Sequence, residues 1–253
     1  MPAIRMCCWF FLLIACFSVC AEPIRIITED YPPYNYVEDG KLKGLSVDII
    51  KAVMKRTSLE YTLEVLPWAR GMVTTERTKN VFIFSMRRVP SREERFLWVG
   101  SLCSSAQSIY TLYNRHDIEV DSIEDLNNYT VGTTINDSRE TVLIAKGIPV
   151  ENLTRISGHD SYERNYMKLK FGRIDLWPMD DTVAFHIVKR NGDEPEKVLK
   201  KVYSFESGKN DTYYLATNLN TDPEILEQVS RALREFKETE EYSVLLKRWN
   251  GAP

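Results

Sequence analysis

Past residue 21 the chain carries a single cysteine, Cys103, and along its whole length only three histidines, His116, His159 and His186. One thiol cannot close an internal disulfide, so the fold must rest on its apolar core. Cys103 is then either a buried, inert thiol or an odd reactive one. One cysteine and three scattered histidines do not give the ligand spacing of a metal centre. The sequence has no Walker loop and no G-x-G-x-x-G turn, which leaves out the commonest phosphate and dinucleotide cradles. Basic residues are not in excess. Lys and Arg number 33 against 36 Asp and Glu, a net charge of −3, and nothing in that balance points to nucleic acid. Low-complexity tracts and repeats of solenoid length are also lacking. After the first 21 residues no apolar run approaches the ~20 residues that span a bilayer.

What is present begins with a leader. Arg5 precedes an apolar stretch, residues 7–19, broken only by Ser18, and Val19-Cys20-Ala21 sets small residues where a signal peptidase reads. Residues 1–21 are read as a cleavable secretory signal that sends the remainder to the periplasm. Leu13-Ile14-Ala15-Cys16 also resembles a lipobox, so lipid anchoring at Cys16 is the alternative. The remaining chain, in a sequence of 253 residues with 43% hydrophobic content, suits one large domain or two small ones.

Residues 24–28 read as a strand. The following EDYPPYNY cannot be regular structure, because two prolines fix φ and remove donors; it presents Tyr31 and Tyr34 at a strand end. Asp39-Gly40 is a turn signal. Residues 45–56 have helical apolar spacing, and residues 61–66 alternate as a strand. Pro67-Trp68-Ala69-Arg70 then opens a short helix to about residue 78. The apolar run 81–85 is a third strand, ending at Ser85 and a loop carrying Arg87, Arg88 and Arg92. This β-α-β-α-β order implies a parallel sheet with right-handed crossovers, whose ligands bind at the carboxyl ends of the strands. Tyr31 and Tyr34, then Trp68 and Arg70, then Ser85, Arg87 and Arg92 occupy three successive strand ends. A guanidinium there can grip a carboxylate through two parallel hydrogen bonds.

The second half repeats the plan. Residues 130–134 form a strand ending in the cap cluster Ile135-Asn136-Asp137-Ser138, and a helix runs on to about residue 146. Its free N–H groups would favour an anion near Asn136 and Ser138, or serve only as an ordinary cap. A strand at 153–156 and a helix at 161–171 follow. The strand at 174–179 then carries Trp177 and Pro178 just before Asp180-Asp181, and residues 182–189 are helical. Two β-rich stretches, residues 108–113 and 212–217, stand between the halves and before the last helices, at 225–236 and 242–249.

With these features together, the chain resembles the periplasmic solute-binding proteins of the family-3 type, which serve polar amino-acid ABC importers. The marks are Asp30-Tyr31-Pro32-Pro33-Tyr34 followed by Gly44-Leu45-Ser46-Val47-Asp48, then Ser91-Arg92-Glu93-Glu94-Arg95 before an apolar strand, then Gly172-Arg173-Ile174-Asp175 with Asp180 beyond. The resemblance implies a type II periplasmic-binding-protein fold: two α/β lobes with parallel-core sheets, joined by two hinge strands and closing on ligand like a clamshell. Lobe 1 would comprise residues 22–112 and 216–253, and lobe 2 residues 113–215, with 108–113 and 212–217 as hinges. By the same resemblance Arg92 grips the ligand carboxylate, Asp180 takes the ammonium with Asp181 a close second, and Tyr31 covers the ligand side chain. The Asn136–Ser138 turn would complete the carboxylate site.

The chain also departs from the family pattern. Arg87 lies where amino-acid binders carry small polar residues, and Arg70 is unusual. If both face the cleft beside Arg92, the pocket suits a dicarboxylate, an acidic amino acid or another anion; otherwise they are solvated or paired. The resemblance implies a monomer with no cofactor or metal, a small carboxylated solute as ligand and an inner-membrane ABC permease as transient partner. Two other functions share the scaffold: a cyclohexadienyl dehydratase-like enzyme, and a soluble ligand-sensing module.

Overall fold

The computed structural model describes residues 23–205 and 211–250. The leader therefore lies outside the described residues. The chain starts with β1 (Ile24–Thr28), whose apolar side chains are buried, and passes through the irregular Tyr31–Asn35 loop into a hairpin of β2 (Tyr36–Glu38) and β3 (Lys41–Lys43). Gly44 then caps α1 (Leu45–Met54) at φ 127°, and a Cβ there would sit 2.2 Å from the Tyr34 carbonyl oxygen. Only glycine lets the helix start this close to the tyrosine loop. Next come β4 (Tyr61–Val65), α2 (Trp68–Arg77), the fully buried β5 (Val81–Arg87), a 3₁₀ turn at Pro90–Arg92, and β6 (Phe96–Ser104).

The chain then enters a second lobe. It contains β7 (Gln107–Leu112), a 3₁₀ segment (Ile123–Asn128) closed by the reciprocal Ser122–Asp125 capping box, β8 (Val131–Thr134) and α3 (Ser138–Ala145). There follow β9 (Leu153–Ile156), α4 (Ser161–Lys170), β10 (Trp177–Asp180), α5 (Asp181–Arg190), the short α6 (Pro195–Val198) and β11 (Leu199–Ser204). The return passes through β12 (Thr212–Asn218) to α7 (Pro223–Lys237) and α8 (Glu240–Asn250). The Asp222 side chain accepts from Glu224 N–H at the start of α7, and Val229, Leu233 and Phe236 bury its inner face.

The first sheet has the order β4-β1-β5-β12-β6. Its β4, β1 and β5 run parallel, as the β-α-β-α-β pattern implies, while β12 is antiparallel to both neighbours. In the second lobe β8 and β9 are parallel, and β7 lies between β10 and β11, antiparallel to both. The parallel cores are therefore flanked by antiparallel strands. A chain that leaves one lobe and returns must run back down a sheet already laid.

Residues 108–113 fall within and just past β7, and residues 212–217 within β12; each of these strands has a partner on both edges in its own sheet. Residues 107–112 thus pair with the second lobe and 212–215 with the first, so divisions at 112 and 215 do not follow the sheets. The passages between lobes lie just outside those strands. There Ser105 N–H donates to the Asp211 carbonyl at 2.8 Å, and Phe205 N–H to the Gln107 carbonyl at 3.0 Å. The intervening residues 206–210 lie outside the described residues.

Candidate ligand-binding cleft

The two lobes face each other across a cleft lined by the carboxyl ends of β1, β4 and β5 on one side and the turn before α3 on the other. On the first lobe, the loop after β1 is locked by its own polar groups. Asn35 Nδ2 donates to the Glu29 carbonyl at 2.8 Å, and Ser85 Oγ donates to Asn35 Oδ1 at 2.5 Å. These bonds fix Glu29 and Tyr31, both buried, at the mouth of the sheet. Trp68 follows β4 at the first position of α2. Arg92 lies in the turn after β5, only 2% exposed, with its guanidinium 5.1 Å from the centre of the Trp68 ring. Burial pulls Arg92 down to about 10.

On the second lobe, Asn136 adopts φ 62°, and Asp137 caps α3 by accepting from Arg139 N–H at 2.8 Å. Glu140 braces the turn: it accepts from Asn136 N–H at 2.7 Å, from Thr133 Oγ1 at 3.1 Å and from Arg155 Nε at 2.7 Å. The Asn136 carbonyl faces the first lobe and accepts there from both Trp68 Nε1 and Arg92 Nη2, each at 2.8 Å.

The centre of the cleft is filled by a chain of alternating charges. Arg87 donates to Asp180 Oδ1 and to the Ser105 carbonyl, and its guanidinium lies 4.5 Å from the Tyr213 ring centre. Arg139 donates to the other Asp180 oxygen at 2.6 Å, to Tyr31 Oη at 2.7 Å and to Asp137 Oδ2 at 2.5 Å. The rings of Tyr31 and Tyr162 stand 5.6 and 5.5 Å from that guanidinium. Tyr162 Oη lies 3.1 Å from Glu29 Oε1 and 3.0 Å from Asp137 Oδ2, so one hydroxyl links the lobes. Burial, reinforced by the Asp137 carboxylate, pushes Glu29 well above the ordinary carboxylate range. Arg87 and Arg139 thus meet Asp180 and Asp137, and Tyr162 ties Glu29 to the same cluster. The space left among Tyr31, Trp68, Ser85, Arg92 and their neighbours is about 10 Å³, roughly the room one water needs.

The residues anticipated from sequence divide into those the cleft gathers and those it does not. Tyr31, Trp68, Ser85, Arg87, Arg92 and Ser138 line it, and Asp180 lies buried at its floor. Asn136 contributes its backbone carbonyl rather than its side chain. Asp180 is not an open carboxylate, since guanidiniums hold both of its oxygens. Asp181 faces away, toward Tyr110 and Lys201. Tyr34 packs behind Tyr31, its ring 4.9 Å from that of Tyr213. Trp177 is in the second-lobe core, 5.8 Å from Tyr166, because strand alternation sends it to the face opposite Asp180. Arg70 is exposed on α2 and does not line the central space. Arg88 and Arg95 pair at the surface with Glu93 and Glu76. Cys103 is buried, its thiol pushed up to about 12 by desolvation, which makes it the inert alternative.

Five cleft residues were not anticipated: Glu29, Asp137, Arg139, Tyr162 and Tyr213. One signal for Arg139 was available. It is a cation in the first turn of a helix, where the dipole disfavours positive charge, so some carboxylate had to hold it there.

A two-lobed α/β protein whose cleft gathers charged and aromatic groups from both sides is built as a solute receptor. The comparisons give that class a family. Residues 24–252 match the bacterial extracellular solute-binding proteins, family 3, and the chain belongs to that family. It is 24% identical over 227 residues to the arginine-binding extracellular protein ArtP of Bacillus subtilis (strain 168), covering 87% of this chain and 82% of that one. An ancestral arginine-binding protein bound to arginine matches with a TM-score of 0.76 at 24% identity, over 90% of this chain and 98% of its own. A histidine kinase sensor domain with similarity to periplasmic binding proteins matches with a TM-score of 0.78 at 18% identity, over 91% and 96%. At these identities the solved structures establish the shared fold.

Proposed function

We propose that this protein captures a small carboxylated solute, an amino acid or a related organic anion, between its lobes and delivers it to an ABC importer. The observation that carries the reading is Arg92. It is a buried guanidinium on the first lobe whose partner across the cleft is only a backbone carbonyl, Asn136. When the lobes part, Arg92 and Trp68 both lose that acceptor and become donors facing the cleft. A ligand carboxylate is a stronger acceptor than the carbonyl it replaces. The Asp137–Ser138 start of α3 closes over the ligand from the other side, and Tyr31 and Trp68 flank it.

In this reading the hinge is marked by Ser105 and Ala106 on the way out of the first lobe and by Phe205 and Asp211 on the return. Lobe 1 is residues 23–104 with 212–250, and lobe 2 is residues 107–204. The leader, residues 1–21, directs export, which agrees with an extracytoplasmic family. The arginine-binding relative supports an amino-acid ligand. A thermal-shift screen of amino acids, dicarboxylates and small organic anions on the purified protein tests the proposal, because a ligand that binds only the folded state raises its melting temperature. If no carboxylated compound shifts the transition and calorimetry detects no heat of binding, the reading fails.

A further inference from the structure

At the centre of the cleft, the groups that could hold a ligand cation already hold the protein's own, with one acid left to account for. Guanidiniums take both oxygens of Asp180, the residue to which the family resemblance gives the ligand ammonium. Arg139 also pairs with Asp137. Arg139, Asp137 and Asp180 all belong to the second lobe, the first two at the start of α3 and the third at the end of β10. Their pairing needs nothing from the first lobe, so it persists when the lobes part. The aromatic rings are engaged in the same way: Arg139 lies by Tyr31 and Tyr162, Arg87 by Tyr213 and Arg92 by Trp68.

The remaining acid is Glu29. It is buried, and among the described residues its carboxyl bonds to Tyr162 without an ion pair. Its Oε1 stands 3.1 Å from Tyr162 Oη, and the same hydroxyl stands 3.0 Å from Asp137 Oδ2. One hydroxyl has one hydrogen, so it donates to one of the two acids and accepts from the other. Asp137 is the ionised one, because Arg139 holds it through a charge-assisted bond. Tyr162 thus donates to Asp137, and Glu29 donates its own proton to Tyr162. Burial and the nearby Asp137 carboxylate act in the same direction. Glu29 is therefore a neutral wall. Arg92 is the converse case. Its guanidinium is buried and, among the described residues, bonds only to the carbonyls of Arg87 and Asn136, at 3.0 and 2.8 Å. A buried cation with carbonyl partners alone is the place for an incoming negative charge.

We propose that the solute of this cleft is a carboxylate without an ammonium group, its acid on Arg92 and its body, bearing no positive charge, flanked by Tyr31 and Trp68. The inference rests on the reading of Arg92 as the carboxylate grip. Of the two classes which that reading admits, an amino acid and a related organic anion, it selects the second. An α-ammonium brought into the closed cleft would meet paired carboxylates, a neutral acid and rings already beside guanidiniums. A charge buried without a partner is costly. Displacing Arg139 to make room exchanges one cation for another and strands the guanidinium on the same lobe. The amine-free acid meets no such cost. The protein's own arginines thereby act as a filter against zwitterions.

The test is isothermal titration of the full mature protein with pairs that differ by the α-amine alone: 4-methylpentanoate and leucine, 3-phenylpropanoate and phenylalanine, 4-carbamoylbutanoate and glutamine, glutarate and glutamate. At least one amine-free acid binds, and binds about tenfold or more tightly than its amino-acid counterpart. Arg139→Met leaves Asp137 and Asp180 short of a cation, so it narrows or reverses that gap by raising affinity for the amino acid. A merely structural role for Arg139 would weaken both members alike, and that result overturns the filter. Should the variant fail to fold, as a circular dichroism melt will show, Arg87→Met releases one oxygen of Asp180 and is read in the same way; the wild-type comparison stands without either. An amino acid that binds the wild type as tightly as its amine-free partner, or more tightly, overturns the inference and leaves the receptor function standing. A ligand found instead in the wider carboxylate screen counts against the inference if it carries an ammonium and for it if it does not. If no carboxylated compound binds, both readings fall.

Discussion

Arg139 sets a guanidinium between the lobes against Asp137, Asp180 and Tyr31, which makes Arg139→Ala the most informative substitution. The change deletes charge-assisted hydrogen bonds to Asp137, Asp180 and Tyr31 and the contacts with two tyrosine rings. Breaking a buried ion pair costs ~3–5 kcal/mol, because the remaining charge is stranded. Asp180 keeps Arg87, and Asp137 keeps the Arg139 backbone N–H and Tyr162, so the low end, about 3 kcal/mol, is expected. For a chain of this size that lowers the melting temperature by roughly 6–12 °C. The cavity left behind has two carboxylates and two ring faces at guanidinium distance, so it should accept the missing group from solution. With a dissociation constant of ~1 mM, about 10 mM methylguanidinium restores about 1.4 kcal/mol, or ~3–5 °C. That concentration is far below any denaturing effect. Arg139→Met fills the space without the charge, so it should be destabilised and gain nothing from the additive. Differential scanning fluorimetry of the three proteins with and without methylguanidinium decides the matter. An alanine variant melting within about 2 °C of wild type, or a wild type that gains as much as the variant, would refute the account of the cleft.

Other outcomes follow from the same geometry. Glu29 is raised in the folded state, so the folded protein holds its proton to a higher pH than the unfolded chain does. Its contribution to stability is fully present below the ordinary carboxylate range and is lost as pH rises through the folded value. Glu29→Gln mimics the protonated form beside Tyr162, Asp137, Arg139 and Arg92; its melting temperature should decline less than the wild type's between pH 5 and pH 8, and parallel curves would contradict this. Arg92→Ala removes the bonds to the Arg87 and Asn136 carbonyls and should cost about 2–3 kcal/mol in chemical denaturation. The same variant should lose solute binding in calorimetry, and unchanged affinity would remove Arg92 from the site. Gly44→Ala forces a Cβ into the Tyr34 carbonyl at a φ that side chains avoid, so a loss of about 3 kcal/mol or more is expected in urea melts.

The fold was legible where apolar runs were bounded by proline, glycine or cap residues. The strands β1, β4, β5, β8 and β9 and the helices between them follow that punctuation closely. The hairpin was visible only as its Asp39-Gly40 turn, because its strands are three residues each and none of those residues is buried. The edge strand β11 carries a register shift between Lys201 and Tyr203 and a half-exposed face, so it lacks a clean alternation. The passages between lobes were not legible for a different reason. A β-rich run signals that a strand exists but not which sheet it joins, and pairing over a long sequence separation is not a local property.

The site was legible at strand ends. Tyr31, Trp68 and Arg92 follow strands, and Ser85 and Arg87 end one, all at carboxyl ends that converge. Trp177 shows that parity should have been applied. It stands three residues before Asp180, and an odd separation sends the two side chains to opposite faces. What sequence could not supply was the occupation of the cleft by Arg139 and the pairing of Asp180. Both depend on groups brought together from α3, β5 and β10.

The doubly accepting carbonyl of Asn136 has a consequence for how the protein opens. Trp68 and Arg92 come from different loops of the first lobe, yet both donate to one oxygen of the second. Moving that oxygen away lengthens the two bonds together, so neither can stretch while the other holds. The contact behaves as a single catch, with engaged and released positions and little in between. Because the acceptor is main chain, the catch does not use the Asn136 side chain, and a replacement that tolerates φ 62°, such as glycine, would leave it intact. Its strength is instead set by Glu140, which holds the turn carrying it.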